Sequence, residues 1–158
     1  MATVFVNIGS NLGNRRLNLT RAVNAIAKEF GAYELSHVVE STPQGFDSAN
    51  LFLNIGMVFQ SRETPLSILE KLQSIERQLS EVPHRDSSGA YKDREIDIDI
   101  IAIDGEIICE DNLSVPHPRL PQRDFFLQPL AELAPGWRHP VSGKTPREML
   151  FELMESSN

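Results

Sequence analysis

Up to residue 104 the apolar residues of this chain alternate between two repeats, and the order of the changes restricts the fold more than any single motif. "TVFVNI" (3–8) alternates apolar with polar or small residues, as a half-buried strand does. "GSNLGN" (9–14) is a turn by composition. Residues 15–30 carry Leu17, Ala22, Val23, Ile26, Ala27 and Phe30 at helical spacing, and Gly31 closes that helix. "AYELSHVVES" (32–41) and "LFLNIGMVFQS" (51–61) return to strand character across a loop of turn formers at 42–50. Thr64-Pro65 supplies an N-cap and a proline at the first helical position. The helix it opens runs to about Leu79, with Leu66, Leu69, Leu72, Ile75 and Leu79 inward. "REIDIDIIAID" (94–104) is again a strand.

The order β-α-β-β-α-β predicts an α+β fold, the ferredoxin-like sandwich, in which two helices cover one face of an antiparallel-rich sheet. The other face is left to later segments or to a site. Asp104-Gly105 predicts a tight hairpin into "EIIC", a proline-rich stretch (115–135) surrounds a short helix, and Thr145-Pro146-Arg147-Glu148 is a capping box opening a terminal helix. A single domain over 1–158 accommodates this C-terminal hairpin and these helices.

Composition narrows the function. A net charge of −7 and a pI near 5.1 argue against a nucleic-acid binder, whose footprint is basic. No apolar run approaches the roughly 20 residues that span a bilayer, and the start lacks a basic leader, so neither a membrane partner nor a signal peptide is expected. The single cysteine, Cys109, allows no internal disulfide and no cysteine-rich zinc site. It fits the reducing cytoplasm and is expected to be a small buried hydrophobe. Arginine outnumbers lysine, 11 to 4. Arg85, Arg94, Arg119 and Arg123 fall near the acidic strand, and arginine is the side chain suited to bidentate phosphate contact.

That strand carries the chemistry. Ile96, Ile98 and Ile100 share one face, while Glu95, Asp97 and Asp99 share the other. Aspartate is a poor strand former, and like charges on one face repel. Residues i and i+2 of a strand lie about 6.5–7 Å apart, so two carboxylates there can converge on one cation. Mg²⁺ takes one or two carboxylates together with substrate phosphates and water, whereas zinc requires His or Cys ligands. From the Asp-x-Asp pattern alone, a hydrated acidic sheet face accounts for the pair equally well. Three neighbours favour the ion: Arg94 beside the pair, the polar loop 80–93 before it, of a length typical of functional lids or disordered segments, and His117 and Arg123 after it. His117 stands between Pro116 and Pro118, held as a donor to phosphate would be, while a lone histidine more often bonds a local carbonyl. Neither a G-x-G-x-x-G run nor a P-loop is present.

"IGSNLG" (8–13), "STPQG" (41–45), "FLN" (52–54), "LQSIE" (72–76), "REIDIDII" (94–101), "VPHPRL" (115–120) and "RDFFLQPLAELAP" (123–135) come in that order. Together they resemble the 6-hydroxymethyl-7,8-dihydropterin pyrophosphokinases of folate biosynthesis. The resemblance implies the ferredoxin-like fold, a monomer, and transfer of the β,γ-pyrophosphoryl group of ATP to the pterin hydroxymethyl, with two Mg²⁺ ions. Carried over, Asp97 and Asp99 are the metal ligands, and Arg94, Asp97, Asp99 and Arg123 form the catalytic set. Phe52 and Phe125 sandwich the pterin, Asn54 bonds its edge, and Thr42 and Pro43 line its pocket. Gln73, Glu76, Ile100, His117 and Arg123 contact ATP. The loop before the aspartates departs from the family, with Glu81 near a usual arginine, Tyr91 near a usual tryptophan, and Lys92-Asp93 replacing Gly-Pro. Arg85 is the candidate for the missing loop arginine. The competing expectation is a non-catalytic pterin- or nucleotide-binding module with a diverged lid.

Overall fold

The computed structural model describes residues 1–42, 51–80 and 95–156. β1 (Ala2–Ser10), α1 (Arg15–Phe30), β2 (Tyr33–Leu35), β3 (Val39–Ser41), β4 (Phe52–Ser61), α2 (Pro65–Leu79) and β5 (Asp97–Ile103) build the first part of the fold. β6 (Ile108–Glu110) and β7 (Leu113–Val115) form a separate hairpin, followed by a 3₁₀ turn at Leu120–Gln122, α3 (Asp124–Leu133) and α4 (Pro146–Ser156). The sheet runs β2-β4-β1-β5, with β3 also on β4, and its pairings are antiparallel. This is the ferredoxin-like α+β arrangement that the element order predicts.

Alternation along the strands makes two cores. Val4, Val6, Ile8, Leu53, Ile55, Met57 and Phe59 turn to one face, where α1 and α2 bring Leu19, Ala22, Val23, Ile26, Ile68, Leu72 and Ile75. On the opposite face Phe5, Ile101 and Ala102 meet Leu120, Phe126, Leu127 and Leu130 of the α3 region and Met149 of α4. The pairing of β1 with β5 slips between Val6–Ile100 and Phe5–Ala102, leaving Ile101 without an opposite residue. This bulge turns Ile101 and Ala102 both into the second core and returns Ile103 to the first.

α3 crosses the second face at the level of Asn7, Gly56 and Ser36. Asn7 donates to the Phe125 carbonyl, and the Glu132 carboxylate accepts from the amide of His37 at 3.0 Å. Between them the helix lies directly on Gly56, where a Cβ would stand 2.6 Å from Pro129 Cβ. Gly56→Ala is therefore expected to cost about 1–3 kcal/mol by overpacking. Gly105→Ala, in open space, should leave the denaturation midpoint unchanged. Equal midpoints for the two variants would contradict this seating of α3.

Several sequence expectations are corrected. The strand expected over 32–41 is two, because 36–38 place three residues opposite Ile55 and Gly56. The buried Ser36 hydroxyl takes the Gly56 amide at 2.8 Å, and His37 turns outward to Glu132. Leu17 and Leu66 are exposed rather than inward. Each lies two residues, about 200° of helix, before the buried Leu19 and Ile68. Asp104-Gly105 does turn, with Asp104 at φ 49°, but it does not make a hairpin onto β5. The Asp104 amide and carboxylate are engaged with Thr3, and the next strand, β6, pairs with β7. In that hairpin Ile108 faces the core, which leaves Cys109 exposed rather than buried. The strand over 94–104 begins at Asp97. Both helix starts hold: the Thr64 hydroxyl accepts from the Ser67 amide at 3.2 Å. At α4, Thr145 and Glu148 exchange reciprocal bonds at 3.0 and 3.2 Å.

Candidate active site

By crossing the sheet, α3 divides its second face. One half is the second core, which also takes in Phe125, and the other carries Asp97, Asp99, Asn54 and Phe52. Asp97 lies opposite Gly9 and Asp99 opposite Asn7 on the β1–β5 ladder, so both side chains share the face of Asn7 and Gly9. Gly9 is also opposite Asn54 across β1–β4, which puts Asn54 and Phe52 on the same side. Both aspartates are half-buried.

The segment after β7 reaches the pair at Asp99. The amide of His117 donates to the Ile101 carbonyl at 2.8 Å, placing its ring beside the strand. His117 Nδ1 accepts from the Arg119 amide at 3.1 Å, so the neutral ring carries its proton on Nε2, which stands 3.9 Å from Asp99 Oδ1. Burial pushes the pKa of this imidazole down to about 4, and the Arg123 and Arg119 guanidinium charges add to the shift. At neutral pH it is therefore an uncharged donor rather than a cation. Its ring meets Phe126 edge-on at 4.9 Å, and Phe126 meets Phe125 likewise at 4.9 Å.

Arg123 precedes α3. Its Cζ lies 5.6 Å from the Phe125 ring centre and 5.1 Å from that of Phe126, so aromatic faces hold the guanidinium. Its buried Nε has no hydrogen-bond partner among the described residues. A buried cationic donor left in that state is suited to an incoming anion.

Of the pterin candidates, Phe52 and Asn54 lie at the start of β4. Asn54 is buried and donates from Nδ2 to Ser41 Oγ at 2.7 Å, which fixes its amide. Gly9 keeps this corner open: a Cβ there would stand 2.9 Å from Asn54 Oδ1 and 3.3 Å from Phe52 Cδ1. Arg15 of α1 reaches the Leu51 carbonyl at 2.8 Å and ties down the chain just before Phe52. Phe52 is half-buried, Phe125 is buried in the first turn of α3, and Thr42 is exposed beside β3.

Of the nucleotide candidates, Glu76 and His117 bond the outer edge of β5, the strand that carries Ile100. From α2, beneath the sheet, Glu76 Oε2 accepts from the Ile98 amide at 2.6 Å, the peptide between the two aspartates. Gln73 is exposed on the same helix. The Ile100 side chain is buried in the first core, away from the aspartates. Its peptide groups share the outward direction of Ile98, so the backbone is what Ile100 offers a ligand. Pro43, Arg85 and Arg94 lie outside the described residues.

Sequence reasoning missed Asn7, Gly9 and Ser41. "GSNLGN" reads as a turn, yet Gly9 and Ser10 belong to β1. The only signal for Asn7 was an amide in mid-strand, which the alternation of "TVFVNI" presents as an ordinary polar position.

The donor chemistry fits magnesium. The aspartate pair offers a partial shell of hard carboxylate oxygens, and among the described residues no three His, Cys, Asp or Glu side chains cluster as a metal cage. Such a shell suits a cation that keeps water and phosphate ligands, not a closed zinc site.

Residues 5–135 match the family of 7,8-dihydro-6-hydroxymethylpterin-pyrophosphokinase (HPPK). The chain belongs to this family. Two curated HPPK relatives carry the name 2-amino-4-hydroxy-6-hydroxymethyldihydropteridine pyrophosphokinase. The protein from Porphyromonas gingivalis is 39% identical over 142 residues, covering 89% of this chain and 95% of that protein. The one from Aquifex aeolicus is 34% identical over 148 residues, covering 94% and 90%. Among solved structures, the Plasmodium falciparum HPPK-DHPS superposes with a TM-score of 0.75 at 14% identity, which speaks to the fold alone. This HPPK-family chain is covered to 98% there but spans only 45% of that longer chain.

Proposed function

We propose that this chain transfers the β,γ-pyrophosphoryl group of ATP to the hydroxymethyl of 6-hydroxymethyl-7,8-dihydropterin, giving AMP and the pterin diphosphate for folate biosynthesis. The observation that supports this reading is that Asp97 and Asp99 share one sheet face, with His117 Nε2 3.9 Å from Asp99 and the buried Nε of Arg123 unpartnered among the described residues. The hydroxymethyl oxygen bonds to Pβ as the bridge from Pβ to the Pα oxygen breaks. AMP leaves with that oxygen, and the hydroxyl proton passes to solvent water. Such a transfer needs alignment and charge neutralisation more than covalent help from the protein.

The residues divide that work. Mg²⁺ held by Asp97 and Asp99, two ions in all, would neutralise the triphosphate and orient its oxygens. Arg123 brings fixed positive charge to the phosphates, and neutral His117 brings an N–H donor. Arg94 and Arg85 are assigned to the same phosphates on the strength of the sequence resemblance. Gln73, Glu76 and the Ile100 backbone along the β5 edge serve the nucleotide. Phe52 and Phe125 clamp the flat pterin, Asn54 bonds its edge, and Thr42 and Pro43 complete the pocket. The same assignment has the chain acting as a cytoplasmic monomer. No described helix is long and apolar enough to cross a membrane.

Incubation with ATP, Mg²⁺ and hydroxymethyl-dihydropterin should release AMP only when all three are present. Pterin binding without AMP, from folded protein, would replace the proposal with a binding module. Phe125→Leu keeps most of the buried volume and removes the ring face. It should weaken pterin binding roughly three- to tenfold and ATP binding little, as titration of each ligand would show. Equal losses would make Phe125 a packing residue only.

A further inference from the structure

Pro129 lies inside α3, so the helix has no N–H to return to the carbonyl four residues earlier, that of Phe125. The donor comes from the sheet instead: Asn7 Nδ2 donates to the Phe125 carbonyl at 3.0 Å. Asn7 is 2% exposed, a burial that an amide tolerates only when it is bonded. On its strand it stands opposite Asp99 to one side and Gly56 to the other, and Gly56 is the residue on which Pro129 rests. The proline that frees the carbonyl and the asparagine that takes it are thus parts of one contact between α3 and the sheet.

We propose that Asn7 is a positioning residue for the pterin. By bonding the carbonyl that Pro129 leaves without a helical donor, it holds the first turn of α3, and with it the Phe125 ring, over the sheet at Asn7. The backbone of Asn7 already fixes Asp99 across the ladder, so one residue sets the spacing between the ring clamp and the acidic pair. This role rests on the pyrophosphokinase reading of the site.

Asn7→Leu removes the donor at similar volume, and Pro129→Ala restores an N–H four residues after Phe125 while keeping the Cβ that rests on Gly56. Without ligands, Pro129→Ala should be more favourable to the melting temperature in the Asn7→Leu protein than in the wild type. Additive effects would overturn the pairing of these two residues. With Mg²⁺ and a non-hydrolysable ATP analogue present, Asn7→Leu should weaken hydroxymethyl-dihydropterin binding about three- to tenfold. Binding of the analogue should stay within about twofold of wild type, and adding Pro129→Ala should recover part of the pterin affinity. Equal losses for both ligands, or unchanged pterin affinity, would overturn the positioning role. Asn7→Ala serves as the donor-less variant if Asn7→Leu does not fold. A wild-type protein that binds no pterin would defeat the proposed function, while the melting comparison would still decide whether Asn7 and Pro129 act on one carbonyl.

Discussion

Asp97→Ala and Asp99→Ala are each expected to lower turnover by roughly a thousandfold or more, because several kcal/mol of charge stabilisation leave with the metal. Neither should unfold the protein. Both side chains lie on one face, opposite Gly9 and Asn7, where two carboxylates repel and neither is packed into a core. Asp97→Asn and Asp99→Asn, which keep the shape and remove the charge, should be nearly as inactive. Turnover of each variant against magnesium concentration, with the melting temperature measured alongside, checks both halves. An alanine variant with near-normal turnover would remove the aspartate pair from the mechanism.

The second large effect is expected at Gly9. Its added Cβ would meet the ends of Asn54 and Phe52 at 2.9 and 3.3 Å, both side chains rather than backbone. The sheet can therefore absorb Gly9→Ala by displacing those two groups, which are the proposed pterin contacts. Pterin affinity should fall about tenfold or more, the cost of one misplaced hydrogen bond and one displaced ring. ATP affinity and the melting temperature should change little. Calorimetric titration of both ligands reads the difference, and intact pterin affinity would show that Asn54 and Phe52 do not form the pocket.

What the sequence made legible was local. The two-residue repeat of "IDIDI" (96–100) places the isoleucines in the first core and the aspartates on the other face, as found. Thr64 and Thr145 announce their helices because a cap and its partner lie within one turn. What escaped depends on distant partners. Asn7 meets Phe125 across 118 positions of sequence. Gly9 belongs to the site because of Asn54 and Phe52 on the neighbouring strand. The break in the strand at Ser36 follows from the amide of Gly56 and the carboxylate of Glu132. The outward turn of Cys109 follows from which strand β6 chooses to pair. Glu76, expected at the nucleotide, also holds the peptide between the two aspartates, an interaction that no helical spacing announces.

The measurement that bears most directly on the central claim is the identity of the products from wild type and Asp99→Ala, determined by mass. The wild type should give a pterin carrying two added phosphates and AMP in equal amounts, with Asp99→Ala giving neither above background. A pterin with one added phosphate and ADP, or equal yields from the two proteins, would contradict pyrophosphoryl transfer at the aspartate pair.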